Sequence, residues 1–192
     1  MLSLMPVKVL PFRTVLLSGG VDSACLLALC AEQEQRDVEA LFVDYGQAAA
    51  QPEHEAATAV AEAFGAKLRH AQVNIGPIVE GEIPGRNALL VHLALAMAGP
   101  VPATIMLGIH AGTPYVDCSS AFVKAMQLSL DVHRNGTLQL AAPFVTWSKT
   151  EVYAYAHAMS VPLELTYSCE VGELPPCETC PSCRDRGLLD AG

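Results

Sequence analysis

Short apolar runs alternate along this chain with longer stretches whose apolar positions recur at helical spacing. Runs of strand length fall at 14–17, 38–43, 67–73, 104–107 and 137–141. Between them the pattern predicts helices over 22–33, 53–64, 87–97, 120–132 and 148–159. Local chemistry marks several ends. Gly65 is placed to stop the second helix and Gly99-Pro100 the third. Asn87 is placed to cap the start of the third helix. Ser148, with Glu151 three residues on, predicts a capping box for the last one. Strands separated by helices imply right-handed crossovers, hence a parallel sheet covered on both faces. Ligands in such sheets bind beyond the carboxyl ends of the strands. The loops to inspect are therefore 18–23, 44–47, 74–87, 108–119 and 142–149, and the unusual polar residues fall there.

Composition narrows the picture. With 192 residues, 52% of them hydrophobic and 16% charged, the chain reads as one folded domain over 1–192. An α/β core is expected over 13–160, followed by a cysteine-bearing segment over 166–187. A net charge of −9 with 11 scattered basic residues argues against a bare nucleic acid partner. No apolar stretch reaches membrane-spanning length, and residues 1–12 lack a secretory cleavage pattern. The expectation is a cytoplasmic protein that engages no membrane. Cys25, Cys30 and Cys118 are too dispersed for a disulfide framework, and the first two read as small apolar core residues.

The candidate chemistry begins at Ser18-Gly19-Gly20-Val21-Asp22-Ser23, between the first strand and the first helix. The glycines let main-chain N–H groups approach an anion closely, and the helix start adds its partial positive charge. Two serines add hydroxyl donors. Asp22 would repel phosphate unless a cation lay between them, which suggests Mg²⁺. The loop is neither a Walker loop nor a dinucleotide fingerprint. It resembles the loop of the ATP pyrophosphatases, which form an adenylate and release pyrophosphate.

Cys169-x7-Cys177-x2-Cys180-x2-Cys183 is the second signal. Four thiolates at this spacing suit a structural, tetrahedral Zn²⁺, although an iron–sulfur cluster accepts similar spacing. Arg184 and Arg186 lie beside it, either reaching an anion or facing solvent. Three weaker signals lie in the loops. Arg86 offers a fork of donors for phosphate or carboxylate, or is a surface residue after a turn at Gly85. Tyr115 and Asp117 suit stacking on a flat heterocycle and bidentate acceptance from a guanine-like edge, or else form a tyrosine turn with a capping Asp117. Lys149 is placed to neutralise a leaving pyrophosphate, or is an ordinary first-turn residue.

Taken in order, the pieces resemble the 7-cyano-7-deazaguanine synthase family. They are the Ser18–Ser23 loop, Asp44-Tyr45-Gly46-Gln47, Pro84-Gly85-Arg86-Asn87, Gly108, Tyr115-x-Asp117-Cys118, Ala142-Pro143 with Ser148-Lys149, and Ser168-Cys169 with the later cysteines. The resemblance implies a Rossmann-like, adenine nucleotide alpha hydrolase-like α/β fold carrying a C-terminal zinc segment. It implies ATP and Mg²⁺ at Ser18, Gly19, Gly20, Val21, Asp22 and Ser23, with Asp44 and Gln47 near the nucleotide. Arg86, Asn87, Tyr115 and Asp117 would serve a 7-deazapurine substrate. Asp22, Ser23 and Lys149 would serve catalysis, and Cys169, Cys177, Cys180 and Cys183 would hold zinc. The implied reaction adenylates a 7-deazaguanine carboxylate and uses ammonia to reach the nitrile through the amide, in a homodimer. Ala48-Ala49 and Ser119 replace residues the family usually carries as Arg-His and Arg, and the connection before Pro84 is short. These departures leave open a paralogue that joins the carboxylate to another amine, on a small molecule or a protein terminus. Two further alternatives are a tRNA-sulfurating enzyme on the same loop and a silent nucleotide-binding partner.

Overall fold

The sheet is built from Phe12–Leu16 (β1), Val38–Asp44 (β2), Lys67–Gln72 (β3), Ala103–Met106 (β4) and Leu138–Ala141 (β5), all parallel in the order β3-β2-β1-β4-β5. These elements come from a computed structural model, which describes residues 10, 12–33, 37–76, 78 and 83–190. The helices are Val21–Glu32 (α1), Ala50–Ala63 (α2), Arg86–Met97 (α3), Ser120–Arg134 (α4), Lys149–Ala158 (α5) and Pro181–Asp190 (α6).

Side-chain alternation along the strands divides the core into two layers. Val15, Leu17, Ala40, Phe42 and Met106 pack with α1, α2 and α5. Leu16, Leu41, Val43, Ile105, Leu107, Leu138 and Leu140 pack on the other face with Val91 and Ala94 of α3 and Leu130 of α4. The expected α/β sheet with helices on both faces is the observed fold. Its strand order reverses between β1 and β4, so the loops after these two strands diverge and open a crevice at the switch point.

Several ends follow local rules. Gly65 takes φ +65°, donating to Glu62 O, while the Ala66 N–H reaches back to Ala61 O, which closes α2 in a Schellman motif. Ser148 and Glu151 form the expected capping box of α5. Other ends differ from expectation. α2 starts at Ala50 rather than at residue 53, because Pro52 in a first turn forfeits only an N–H that has no intrahelical partner. Asn87 does not cap α3. The cap is Gly85, at φ +78°, and Asn87 lies buried inside the first turn. α6 was not anticipated; it opens on Pro181, a residue suited to the first helical position.

Candidate active site

The phosphate-type loop leaves β1 at the centre of the sheet, and its residues are fixed by close packing. Gly19 sits at φ +83°, and a Cβ there would come 2.5 Å from Glu53 O and 2.9 Å from Ala57 N on α2. Only glycine fits. The buried Ser23 hydroxyl accepts from Ser18 N–H at 3.2 Å, donates to Gly20 O at 3.0 Å, and lies 3.2 Å from Ser18 Oγ. Gly20 caps α1 without a side-chain hydrogen bond. The N–H groups of Val21, Asp22 and Ser23 have no partner within the helix, which suits an anion.

Asp22 and Lys149 meet across this loop. Lys149 Nζ donates to Asp22 Oδ1 at 3.0 Å and to Oδ2 at 2.8 Å, although the two residues lie 127 positions apart. The Tyr153 ring lies 5.9 Å from the same ammonium. The loop after β4 adds a residue that sequence reasoning missed. His110 is buried, with Nε2 3.8 Å from Asp22 Oδ2 and Nδ1 accepting from Gly112 N–H at 3.0 Å. Burial pulls its pKa down, while the nearby Asp22 carboxylate opposes that shift. The signal was present as a lone imidazole in an apolar run at a strand's carboxyl end. Gly108 lets this loop approach the phosphate loop, since a Cβ there would lie 3.1 Å from Asp22 O and Ser23 N. The Ala111 N–H donates to Trp147 O at 2.8 Å, which ties the loop to the start of α5 and so to Lys149.

The loop after β2 forms the opposite lip. Asp44 accepts from Gly46 N–H at 2.9 Å and from Gln72 Nε2 at 3.1 Å. The Gln47 amide accepts from Tyr45 N–H at 2.9 Å and donates to Val43 O and to Glu53 Oε2, the latter at 2.9 Å. Glu53, another residue not singled out from sequence, is pushed up to about 6 by burial, against the pull of Gln47 and Arg86. Burial also raises the Tyr45 phenol, and the Arg86 guanidinium beside it opposes that shift. Arg86 thus points to the lip rather than to bulk solvent. Asp117 does not cap α4, whose N-cap is Ser119. Instead its Oδ2 accepts from Asn87 N–H at 3.4 Å and its carbonyl from Asn87 Nδ2 at 3.3 Å, clasping the loop onto α3. Tyr115 stands exposed on the same loop, 39% accessible.

The cysteine segment packs beneath this lip. The Tyr167 N–H donates to Gly19 O at 2.9 Å, and Gly172 lies against the Ala48 carbonyl with no room for a side chain. Ala49, Ala56 and Tyr167 pack with Cys169 and Cys180. The Sγ atoms of Cys169, Cys177, Cys180 and Cys183 lie within 4.8 Å of one another, with Cys177 and Cys183 3.9 Å apart. A tetrahedron with metal–sulfur bonds of about 2.3 Å has edges of about 3.8 Å, so the four thiols fit one ion. Their surroundings pull the thiols in different directions. Burial raises Cys169, yet main-chain N–H donors led by that of Cys177 outweigh it and bring the thiol down to about 5. Burial and neighbouring sulfurs push Cys183 up to about 12. Arg186 faces inward here, donating to Thr166 Oγ1 at 2.7 Å and to the Leu163 carbonyl at 2.6 Å, which locks α6 to the body.

A parallel sheet of this order, with a Ser-Gly-Gly-x-Asp-Ser turn at its switch point, defines the ATP pyrophosphatase class. Residues 13–82 and 77–190 match the family model described as Queuosine biosynthesis protein QueC. The chain is 36% identical over 210 residues to the 7-cyano-7-deazaguanine synthase of Synechococcus sp. (strain CC9605), with 92% of each chain covered. It is 33% identical over 203 residues to that of Aquifex aeolicus (strain VF5), covering 90% of this chain and 93% of the relative. Among solved structures, the U34-tRNA thiolase NcsA from Methanococcus maripaludis with its 4Fe-4S cluster shares the fold. Its TM-score is 0.50 at 18% identity, covering 94% of this chain and 65% of that one. The chain belongs to the 7-cyano-7-deazaguanine synthase family. It is an enzyme of the ATP-dependent ligase class that forms carbon–nitrogen bonds. The two matched stretches meet at 77–82, and an alignment of 210 residues is longer than this chain of 192, so that relative carries residues this chain lacks.

Proposed function

We propose that this enzyme adenylates the carboxylate of a 7-carboxy-7-deazaguanine and uses ammonia to convert it, through the amide, to 7-cyano-7-deazaguanine. The observation that carries the reading is the meeting of Asp22 and Lys149 over an α1 N-terminus that has no side-chain cap. Each activation expels pyrophosphate from ATP as a carboxylate or amide oxygen attacks the α-phosphorus, and AMP then leaves. The transition states concentrate negative charge on phosphate, so preorganised donors are the main requirement. The Ser18–Ser23 loop supplies main-chain N–H groups and the Ser18 hydroxyl. Lys149 supplies the mobile positive charge, and Asp22 the carboxylate that would hold Mg²⁺ against the phosphates. Arg86, Asn87, Tyr115 and Asp117 would receive the deazapurine, with Asp44 and Gln47 shaping the lip beside the nucleotide. Cys169, Cys177, Cys180 and Cys183 would hold a structural zinc, which fixes the segment under the Gly19 carbonyl. A homodimer is the assembly this reading carries.

A second reading has its own observation. Where relatives are expected to carry basic side chains, Ala48 and the buried Ala49 lie packed under Gly172 and Cys169. A lip without those groups would suit a single activation that joins the carboxylate to another amine, on a small molecule or a protein terminus. One assay separates the two: incubation with ATP, Mg²⁺, 7-carboxy-7-deazaguanine and ammonia, with products weighed by mass spectrometry. Nitrile with two AMP per product supports the first reading. Amide, or AMP formed only when another amine is supplied, moves the assignment to the second. No AMP under either condition overturns both.

A further inference from the structure

Asp22 faces two donors of different kinds, one bonded to it on a flexible stem and one held close by on a fixed ring. Lys149 reaches the carboxylate on a flexible four-carbon stem from the first residue of α5, and it is partly open to solvent. His110, itself buried, stands beside the same carboxylate on the loop after β4, where the turn at Gly112 fixes the ring. Its Nδ1 accepts the Gly112 N–H at 3.0 Å, so its one ring proton sits on Nε2, the atom 3.8 Å from Asp22 Oδ2. The loop cannot drift. A Cβ on Gly112 would lie 2.9 Å from His110 Nδ1 and 3.1 Å from Lys149 N, and the Ala111 N–H is bonded to Trp147 O.

At 3.8 Å, the Nε2–H is just beyond hydrogen-bond length while Lys149 bridges both carboxylate oxygens. We infer that His110 is a positioning residue for Asp22: when Lys149 turns to the nucleotide phosphates, the Nε2–H closes onto Oδ2 and keeps the carboxylate aimed at the phosphate loop. This handover rests on the reading of the Ser18–Ser23 loop as a nucleotide site. It explains why a buried imidazole stands beside an ion pair already complete without it. Donors behind a carboxylate of this kind typically alter metal affinity 10- to 100-fold when removed.

The two ring nitrogens are separable by substitution, because a glutamine amide nitrogen falls near Nε2 and an asparagine oxygen near Nδ1. His110→Gln keeps the donor toward Asp22 and loses the Gly112 contact. His110→Asn does the reverse. Calorimetry with a non-hydrolysable ATP analogue and Mg²⁺ is expected to show His110→Gln within about threefold of the parent and His110→Asn at least about tenfold weaker. The opposite ranking, or equal affinities, overturns the proposal in favour of a loop-folding role. A second measurement needs no nucleotide. In ¹⁵N-imidazole spectra of the full chain, His110 is expected as the Nε2–H form, and Lys149→Ala should shift that proton downfield as it closes onto Asp22. An Nδ1–H form, or a proton that ignores loss of Lys149, refutes the handover. A parent protein that binds no nucleotide yet shows the downfield shift would instead count against the nucleotide reading while leaving the Asp22–His110 coupling in place.

Discussion

The two lips of the crevice use their polar groups in opposite ways. On the β1 side, Asp22, Lys149 and the open α1 N-terminus form contacts that a ligand can exchange. On the β2 side, Gln47 makes bonds to Tyr45, Val43 and Glu53, and Asp44 bonds Gly46 and Gln72. The first lip holds one partly exposed ion pair over a helix start, while the second is cross-bonded into a wall. The wall rests in turn on the cysteine segment, through Gly172 against Ala48.

Breaking the exchangeable lip has the largest expected effect. Asp22→Ala should lower AMP formation by at least about a hundredfold, the scale of losing one preorganised group at a charged transition state. The circular dichroism spectrum should stay unchanged, since Asp22 is half-buried at a helix start and bears no core packing. Unaltered AMP formation would remove the carboxylate from the mechanism. Breaking the support of the other lip comes next. Cys180→Ser should drop bound metal well below one equivalent and lower Tm by roughly 10 °C, as expected if several kcal/mol of metal binding is lost. Full metal retention would refute the four-thiolate site.

Legibility divides along the same line. The turn of the β1 lip was readable because glycine conformation and helix ends are local properties: Gly19 takes its positive φ and Gly20 caps α1 as the order of residues suggests. The capping box at Ser148 and the stop at Gly65 were readable for the same reason. The pairing of Lys149 with Asp22 was not, because 127 intervening residues separate partners that only the parallel crossover brings together. Asn87 misled for a related reason. A residue type that suits a cap was captured instead by Asp117 of a distant loop, and Gly85 took the terminus. His110 and Glu53 carry no motif at all. Their significance lies in burial beside particular charges, which spacing along a chain does not encode.

A titration sharpens the contrast from the rigid side. Glu53 has a folded-state pKa of about 6 against an ordinary 4.5, because burial penalises its charge. Its folded pKa is raised, so the folded protein holds the proton more tightly than the unfolded chain does. Below about 4.5 the group is neutral in both states and costs nothing. Its contribution to stability is lost as pH rises through the window from 4.5 to about 6, and is constant above it. Glu53→Gln should therefore flatten the fall of Tm across that window and match the parent at its acid end. A parent curve without that fall, or a variant that retains it, would place the titration elsewhere.

The smallest expected effect falls at the start of α5, which carries Lys149 to the exchangeable lip. Ser148 accepts the Glu151 N–H, while Glu151 Oε2 accepts the Ser148 N–H at 2.7 Å, and the next residue along is Lys149. Removing the cap by Ser148→Ala should cost about 1 kcal/mol of stability. If the cap only stabilises the helix, AMP formation at saturating ATP stays at the parent rate once the protein is folded. If it also aims Lys149, that rate falls a few-fold with little change in KM for ATP, and Ser148→Thr, which keeps the cap, restores it. The second outcome is expected. On the proposed reading the ammonium swings between Asp22 and phosphate from a fixed pivot, and a frayed first turn would lengthen its search. A rate loss that threonine does not repair would assign the effect to packing against Trp147 instead.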